Sequence, residues 1–341
     1  MKPLLQIEYS IKWGSVHAGF PLSNQLMTGE FEFGLNYNRT SYYLVSYTGN
    51  DRNIIVPDTY NGLPVTDIGQ SAFRDNIAVM YVTIPDIIVA IDDYAFAGCE
   101  SLIDINLPLG LESIGDHAFD GASSLESVII PETVSYLGDY AYSEGGSITT
   151  LVIPEGITEI NDYTFAHLYS LRNLNLPNSL TRINSHAFEY LSGVRHLVIP
   201  DNVTYIGSAA FLQPYWLETI EFSSSLLTIG ESAFAQARHL ESIVIPESVN
   251  SIGDTAFLGA TVLSSVYLHS GVESIGFQAF QDCPALTSIF IPNTVTYMDV
   301  SVFNHDSNLD VSVEVGTSTV GWKIGWDTGV NSVTYNVFRF I

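Results

Sequence analysis

Four aspartates that recur at 23-residue spacing are the first residues whose type and pattern suggest chemistry. They are Asp93, Asp116, Asp139 and Asp162. Each of them could cap a short helical turn by accepting a backbone N–H. Alternatively, the column could ligate calcium, which favours clustered carboxylate oxygens. Because the glycine-aspartate nonapeptide of calcium-binding β-rolls is absent, we favour capping and keep a calcium ladder as the alternative.

Three arginines form the second candidate group. Arg172 and Arg195 occupy equivalent positions one repeat apart, and Arg182 is expected near them as part of one basic cluster. Glu218 follows Arg195 at the same spacing, which predicts an ion pair between neighbouring coils. The alternative is that these arginines contact an anion or an acidic partner.

The remaining reactive side chains do not form a recognisable site. Cys99 and Cys283 hold equivalent positions eight repeats apart, about 38 Å at strand spacing, which is too far for a disulfide. The same position also holds Ala122, Gly145, Ala237 and Ala260, so we interpret it as a small, buried packing position. His117 and His186 are about 14 Å apart by the same reasoning, too far to share a metal. No serine-hydrolase, zinc-protease, phosphate-loop or Cys-x-x-Cys motif occurs, so we expect no catalytic residues and no cofactor.

The elements that position these residues are set by an internal repeat. Aromatic residues return every 23 positions over ten periods without an insertion. A fixed period of this length is typical of a solenoid, in which stacked units bury a shared core. The aromatic positions are Phe73, Phe96, Phe119, Tyr142, Phe165, Phe188, Phe211, Phe234, Phe257, Phe280 and Phe303.

Other positions of the repeat predict the local structure of each coil. Aliphatic pairs nine and eleven residues after the aromatic, such as Val82 and Ile84, indicate the inward side of a strand. A proline such as Pro85 then ends the strand. Gly, Asn or Asp four residues before the aromatic, such as Gly115, predicts a left-handed corner. The Ala-Phe pair that follows predicts a short helical turn.

The outward strand position, ten residues after each aromatic, carries apolar residues that the core does not need. Val244, Tyr267 and Phe290 are consecutive in this column and include two aromatics. Contiguous exposed apolar residues mark contact surfaces, so we expect a partner-binding strip here. The alternative is ordinary β-propensity on an exposed sheet. The strip also includes Val198, Ile129 and Val152.

The charge balance limits the classes of partner. The 341 residues carry 37 acidic and 11 basic side chains, a net charge of −26. Such a chain repels phosphate backbones and anionic lipid surfaces, which excludes nucleic acid and acidic membranes as partners. No apolar run reaches membrane-spanning length. The first residues lack the apolar core of a signal peptide, so the chain reads as soluble.

The repeat unit Ile-Pro-x-x-Val-x-x-Ile-Gly-x-x-Ala-Phe-x-x-Cys-x-x-Leu resembles the BspA-like, or Treponema-type, leucine-rich repeat. Residues 82–102 and 244–263 show it most closely. The resemblance implies a leucine-rich-repeat solenoid of about eleven coils at 54–311. Residues 1–53, with a hairpin around Asn38-Arg39-Thr40, form the N-terminal segment, and 312–341 the C-terminal cap.

The same resemblance implies a function. It suggests a non-enzymatic, protein-binding domain that is displayed at the cell surface or secreted and adheres to host proteins or other cells. The runner-up is a structural stalk within a larger surface protein. An enzyme, for example a hydrolase, would need a site that the sequence does not show.

Overall fold

The protein forms a β-solenoid. The computed structural model describes residues 30–314, 316 and 321–336, and in them about 13 coils stack on one another. This confirms the predicted leucine-rich-repeat architecture. The described residues contain no helix, and hence none long and apolar enough to cross a membrane.

One side of the solenoid, here called the long-strand face, carries the aliphatic pairs predicted from the repeat. Neighbouring strands on this face are parallel and pair at offsets close to one repeat, as Val128 does with Leu151. Inward residues such as Val82 and Ile105 are buried, while the residues that follow them in the strands, Thr83 and Asn106, are exposed. The strands are Asn53–Ile55, Tyr81–Thr83, Asp104–Asn106, Ser127–Ile129, Thr150–Val152, His196–Val198, Thr219–Glu221, Ser242–Ile245, Ser265–Leu268, Ser288–Ile291, Asp310–Glu314 and Ser332–Asn336.

A second side, the short-strand face, consists mostly of two-residue parallel strands that each bury one aliphatic residue. The predicted hairpin, Phe31–Leu35 with Tyr42–Tyr47, is antiparallel and extends this face. Thr59–Tyr60 pairs antiparallel with the strand Leu63–Ile68. The remaining strands are Leu63–Ile68, Ala90–Ile91, Ser113–Ile114, Tyr136–Leu137, Glu159–Ile160, Arg182–Ile183, Tyr205–Ile206, Thr228–Ile229, Ser251–Ile252, Ser274–Ile275, Tyr297–Met298 and Gly321–Trp322.

The third side consists of turns that also hydrogen-bond from coil to coil, and here the predicted helical turn is wrong. The N–H groups of Phe73 and Phe96 donate to the carbonyls of Ala95 and Ala118 in the next coil, at 2.7 Å each. A helical turn would direct these groups along its own axis. The residues two positions before and two after each core aromatic instead have positive φ, as at Tyr94 and Gly98. This alternation turns every second N–H toward the neighbouring coil.

The glycine column also differs from its prediction, because it is not the left-handed position. A Cβ at Gly115 would lie 2.6 Å from the backbone nitrogen of Asp93, and one at Gly253 2.6 Å from that of Glu231. Real Cβ atoms do not approach backbone this closely. Glycine is therefore favoured here for the close approach of two coils rather than for a positive φ.

The core is a continuous stack of the eleven repeat aromatics. Consecutive ring centroids are 4.8 to 5.9 Å apart, with interplanar angles of 2° to 17°. Cys99 and Cys283 are buried free cysteines beside this stack, where burial raises the pKa of the Cys99 thiol to about 12. Their sulfurs approach the carbonyls of Phe73 and Phe257.

The coil stack continues past the predicted end of the repeat. Strand Asp310–Glu314 pairs with Ser288–Ile291 on one side and Ser332–Asn336 on the other. Trp322 and Trp326 are buried, and Trp326 meets Phe303 edge to face. The boundaries at 53/54 and 311/312 remain a proposal, and the part of the N-terminal segment before residue 30 lies outside the described residues.

Tyr142 is the one tyrosine in the aromatic stack, and its buried hydroxyl has no hydrogen-bond partner among the described residues. Burial raises the pKa of this hydroxyl. An unsatisfied buried polar group costs about 1–3 kcal/mol, so we expect Tyr142→Phe to raise the melting temperature. The reverse change, Phe119→Tyr in the adjacent coil, should lower it. Thermal unfolding followed by circular dichroism measures both, and a stabilising Phe119→Tyr would contradict the explanation.

Asp306 is a buried carboxyl at the position that Cys99 and Cys283 occupy in other coils. It is 1% exposed, and its Oδ1 accepts the N–H of Cys283 at 2.7 Å, while Oδ2 is buried without a partner. Burial, followed by the nearby charge of Asp282, raises the pKa of Asp306 to about 7. The folded state therefore holds this proton more tightly than the unfolded chain, whose Asp pKa is about 3.9.

The sign of this pKa change predicts a specific pH dependence. The contribution of Asp306 to stability is fully present below about pH 4 and is lost as the pH rises through 7. We expect Asp306→Asn to raise the melting temperature at pH 8 relative to wild type and to change it little at pH 4. Asp104→Asn, on an exposed strand end, serves as the control. An equal shift for Asp306→Asn at both pH values would contradict the prediction.

Candidate functional site

The predicted apolar strip lies on the long-strand face. Val244 and Tyr267 are directly opposite each other in paired strands and are each 56% exposed. Phe290, 38% exposed, occupies the same position in the strand of the next coil. Tyr267 also meets His269 edge to face, with ring centroids 4.7 Å apart. Three consecutive coils thus present apolar side chains to solvent from one column.

The other residues assigned to the strip are exposed but not continuous with it. Ile129 pairs with Val152, and together they form a second, smaller apolar patch. Val198 stands opposite Glu221, whose carboxylate separates it from Val244. The strip is therefore strongest at its C-terminal end, over Val244, Tyr267 and Phe290.

The structure separates the three predicted arginines. Arg195 makes the expected ion pair with Glu218 and lies over the ring of Trp216 at 5.6 Å. Arg172 donates to the carbonyl oxygen of Tyr169 at 2.9 Å. Arg182 is on the short-strand face, above the Tyr205 ring at 4.3 Å. The expectation of a single basic cluster is therefore wrong for Arg182.

The aspartate column forms a hydrogen-bonded ladder between coils. The carboxylate of Asp93 accepts the N–H of Asp116 at 2.9 Å, and Asp116 accepts that of Asp139 at 2.9 Å. In the same way, Asp139 accepts the N–H of Asp162 at 3.1 Å, and Asp162 accepts that of Ser185 at 2.8 Å. Each carboxylate thus caps a backbone N–H, as expected, but the N–H belongs to the next coil rather than to its own turn.

The ladder also brings carboxylates close to one another. Burial and then the charge of Asp116 raise the pKa of Asp139. Across the residues that the structure describes, no group of three or more His, Cys, Asp or Glu side chains is placed to hold a metal ion. The geometry therefore supports amide capping and gives the calcium alternative no support.

A half-buried ladder of five rings runs beside the aspartates and was missed by the sequence analysis. It stacks Tyr94, His117, Tyr140, Tyr163 and His186, with centroids 4.3 to 4.6 Å apart. Every ring stands on a left-handed residue. The signal that could have found it is the 23-residue spacing of these five residues, since tyrosines fill the positions on either side of His117. Because each ring covers its neighbour, the ladder strengthens coil stacking.

A second group of exposed aromatics, also missed, precedes the strands of the long-strand face. Tyr215 and Trp216 are 43% and 44% exposed, and their rings meet edge to face at 5.2 Å. His239 of the next coil lies 4.4 Å from the Trp216 ring, and its Nδ1 is 2.6 Å from the Tyr215 carbonyl oxygen. Together with Arg195 and Arg238, these residues are called the aromatic–arginine cluster below.

The cluster borders a small concave site. Its volume is about 280 Å³, and Ser192, Gln213, Tyr215, Gln236 and Arg238 line it. The Arg238 guanidinium donates through Nε and Nη2 to Oε1 of Gln236, at 3.2 and 2.9 Å. A tyrosine face, two amides and a guanidinium therefore converge on one notch.

These features define the class of the molecule as a leucine-rich-repeat β-solenoid. The sequence profile of the BspA type leucine-rich repeat region matches six copies over residues 66–195 and 182–310. The chain belongs to this family, which is one of non-enzymatic repeat domains.

Solved structures agree with this assignment. A leucine-rich cell surface protein from Faecalibacterium prausnitzii is 27% identical with a TM-score of 0.60, over 91% of this chain and 94% of that one. A leucine-rich repeat protein from Bacteroides ovatus, 24% identical, gives 0.61 over 89% of each chain. The pneumococcal vaccine antigen PcpA, 20% identical, gives 0.58 over 91% and 98%. No curated protein matches the chain significantly.

The aspartate ladder makes a prediction about charge and hydrogen bonding. Asp116→Ala removes the acceptor for the Asp139 N–H and should cost about 1 kcal/mol. Asp116→Asn keeps an oxygen acceptor and removes repulsion within the column, so its stability should equal or exceed that of wild type. Chemical unfolding of both variants tests this. Equal destabilisation by Ala and Asn would show that the carboxylate charge itself is needed.

Proposed function

We propose that this chain is a protein-binding domain that adheres, at the cell surface, to host proteins or to proteins of other cells. The observation that carries the proposal is the exposed apolar strip of Val244, Tyr267 and Phe290, which is contiguous over three coils of a strongly acidic chain. Burying apolar area of this kind against a partner is favourable by roughly 25 cal/mol per Å².

Two further considerations support the proposal. Solenoids present extended, ordered surfaces on which a partner can contact several repeats at once. Surface display is favoured by the Faecalibacterium relative, which is described as a cell surface protein. We further propose that the chain is not an enzyme, because its polar side chains are used in repeating structural ladders and no catalytic motif accompanies them.

The runner-up function is a stalk that presents another part of a larger protein. A stalk needs only a stable stack of coils, so strand propensity is the one reason for apolar residues at its outward strand positions. Tyr267 and Phe290 favour binding because, with Val244, they are exposed contiguously over three coils; β-propensity, which also favours Tyr and Phe, explains isolated apolar residues.

The proposal predicts that the strip can be disabled without damage to the fold. Because Tyr267 and Phe290 point away from the core, the double variant Tyr267→Ala/Phe290→Ala should keep the wild-type melting curve. It should recover at least tenfold less protein from solubilised host-cell surface proteins in a quantitative pull-down.

A matched control removes two exposed aromatics from the other face. Tyr136→Ala/Tyr297→Ala changes the same residue class on the short-strand face and should leave recovery unchanged. Full recovery by the strip variant would contradict a role for the strip. Absence of any captured protein with wild type would instead favour the stalk.

A further inference from the structure

The aromatic–arginine cluster departs from the repeat most clearly at one position that most coils fill with a small residue. Five residues after the core aromatic, seven of the eleven coils have Ser, Ala or Gly, such as Ser124, whereas the position before it is more varied and also holds Tyr169. Tyr215 and Trp216 occupy these two positions in one coil, and Arg238 and His239 occupy them in the next. Most coils form without a large side chain at the position of Trp216 and His239, so packing of the solenoid does not require them.

The second unusual feature of the cluster is its positive charge in an acidic chain. The chain has 37 acidic residues, yet its only cations between Arg74 and Lys323 are four arginines. Only one of the four, Arg195, forms a salt bridge within the described part of the chain. Arg238 is exposed and bonds only to the neutral amide of Gln236, and Arg172 bonds to backbone carbonyls. Guanidiniums without a carboxylate partner are unexpected in so acidic a molecule.

We propose that the aromatic–arginine cluster binds an acidic segment of a protein partner, with a carboxylate on Arg238 and an apolar side chain against Tyr215 and Trp216. The inference rests on the proposed protein-binding function and adds the chemistry of the partner. Arginine binds carboxylates through paired N–H donors. Tyr, Trp and Arg are also the residues that most often dominate binding energy at interfaces.

The net negative charge of the solenoid makes binding of an acidic segment selective for one position. An acidic segment is repelled along most of the solenoid and attracted only where guanidiniums lack internal partners. Arg195 adds to the site differently, because its guanidinium is paired with Glu218 and lies over Trp216. Its function is to hold the indole in place, while Arg238 supplies the available charge.

The test selects peptides without assuming their sequence. A library of random 12-residue peptides is displayed on phage and selected against the wild-type protein, Arg238→Gln and Arg182→Gln. Each variant loses one positive charge, but Arg182 is on the short-strand face and lies outside the cluster. We expect wild type and Arg182→Gln to enrich peptides with Asp or Glu next to an aromatic residue, and Arg238→Gln to lose that enrichment.

The consensus peptide is then synthesised together with a copy in which Asp and Glu become Asn and Gln. Fluorescence anisotropy should show at least tenfold weaker binding for the amide copy, for Arg238→Gln and for Trp216→Ala, with unchanged melting temperatures. Equal loss with Arg182→Gln would show that only net charge matters and would overturn the site. Selection of neutral or basic peptides would overturn the choice of an acidic ligand. Binding of acidic glycans on an array, without enrichment of any peptide, would overturn the choice of a protein ligand.

The outcomes separate this inference from the proposed function. If the strip variant Tyr267→Ala/Phe290→Ala loses its protein partner while Arg238→Gln keeps it and selects no acidic peptide, protein binding stands and the acidic-segment site fails. If both variants retain wild-type behaviour in both assays, both proposals fail.

Discussion

The structure depends on one constraint: from Phe73 to Phe303 the core aromatics keep one spacing, so that the backbone groups and core ring of each coil meet those of the next. Core ring centroids 4.8 to 5.9 Å apart match the spacing at which neighbouring strands hydrogen-bond, about 4.8 Å. One inserted residue would shift a ring out of the stack and displace the ladders on all three sides. The 23-residue period without insertions follows from this requirement, and variation is left to the outward side chains.

The same constraint explains which parts of the fold could be predicted. Strands and core positions are visible in sequence because apolar residues at a period of two, followed by proline, have few other interpretations. The turn side was misread because Asp-x-Ala-Phe also suits a capped helical turn. Its left-handed residues include Tyr94, Tyr140 and Tyr163, and tyrosine carries no sequence signal for positive φ. Contacts with the neighbouring coil stabilise this conformation, and such contacts are not visible within one repeat.

Candidate sites divide along the same line. The outward strip was predictable because strand alternation tells which side chains leave the core, and Val244 and Tyr267 lie where that alternation puts them. The aromatic–arginine cluster was not found from motifs. Its signal is a deviation within one column of the repeat, since Trp216 stands where most other coils have Ser, Ala or Gly. In a solenoid the remaining repeats serve as internal controls, and residues that break the pattern without helping the stack are the ones that need a functional explanation.

The strip and the cluster are close enough for one partner to contact both. Arg238 and Val244 are in the same coil, six residues apart, so the extended chain between them spans at most about 20 Å. A protein interface of ordinary size covers about 800 Å² on each partner, enough to include both. Apolar contacts at Tyr267 and Phe290 would then supply non-directional burial, while Arg238 would fix the orientation of an acidic segment. An apolar strip alone cannot orient a partner along a repeating rod, because each coil resembles the next; a local, unpaired positive charge on an acidic background can.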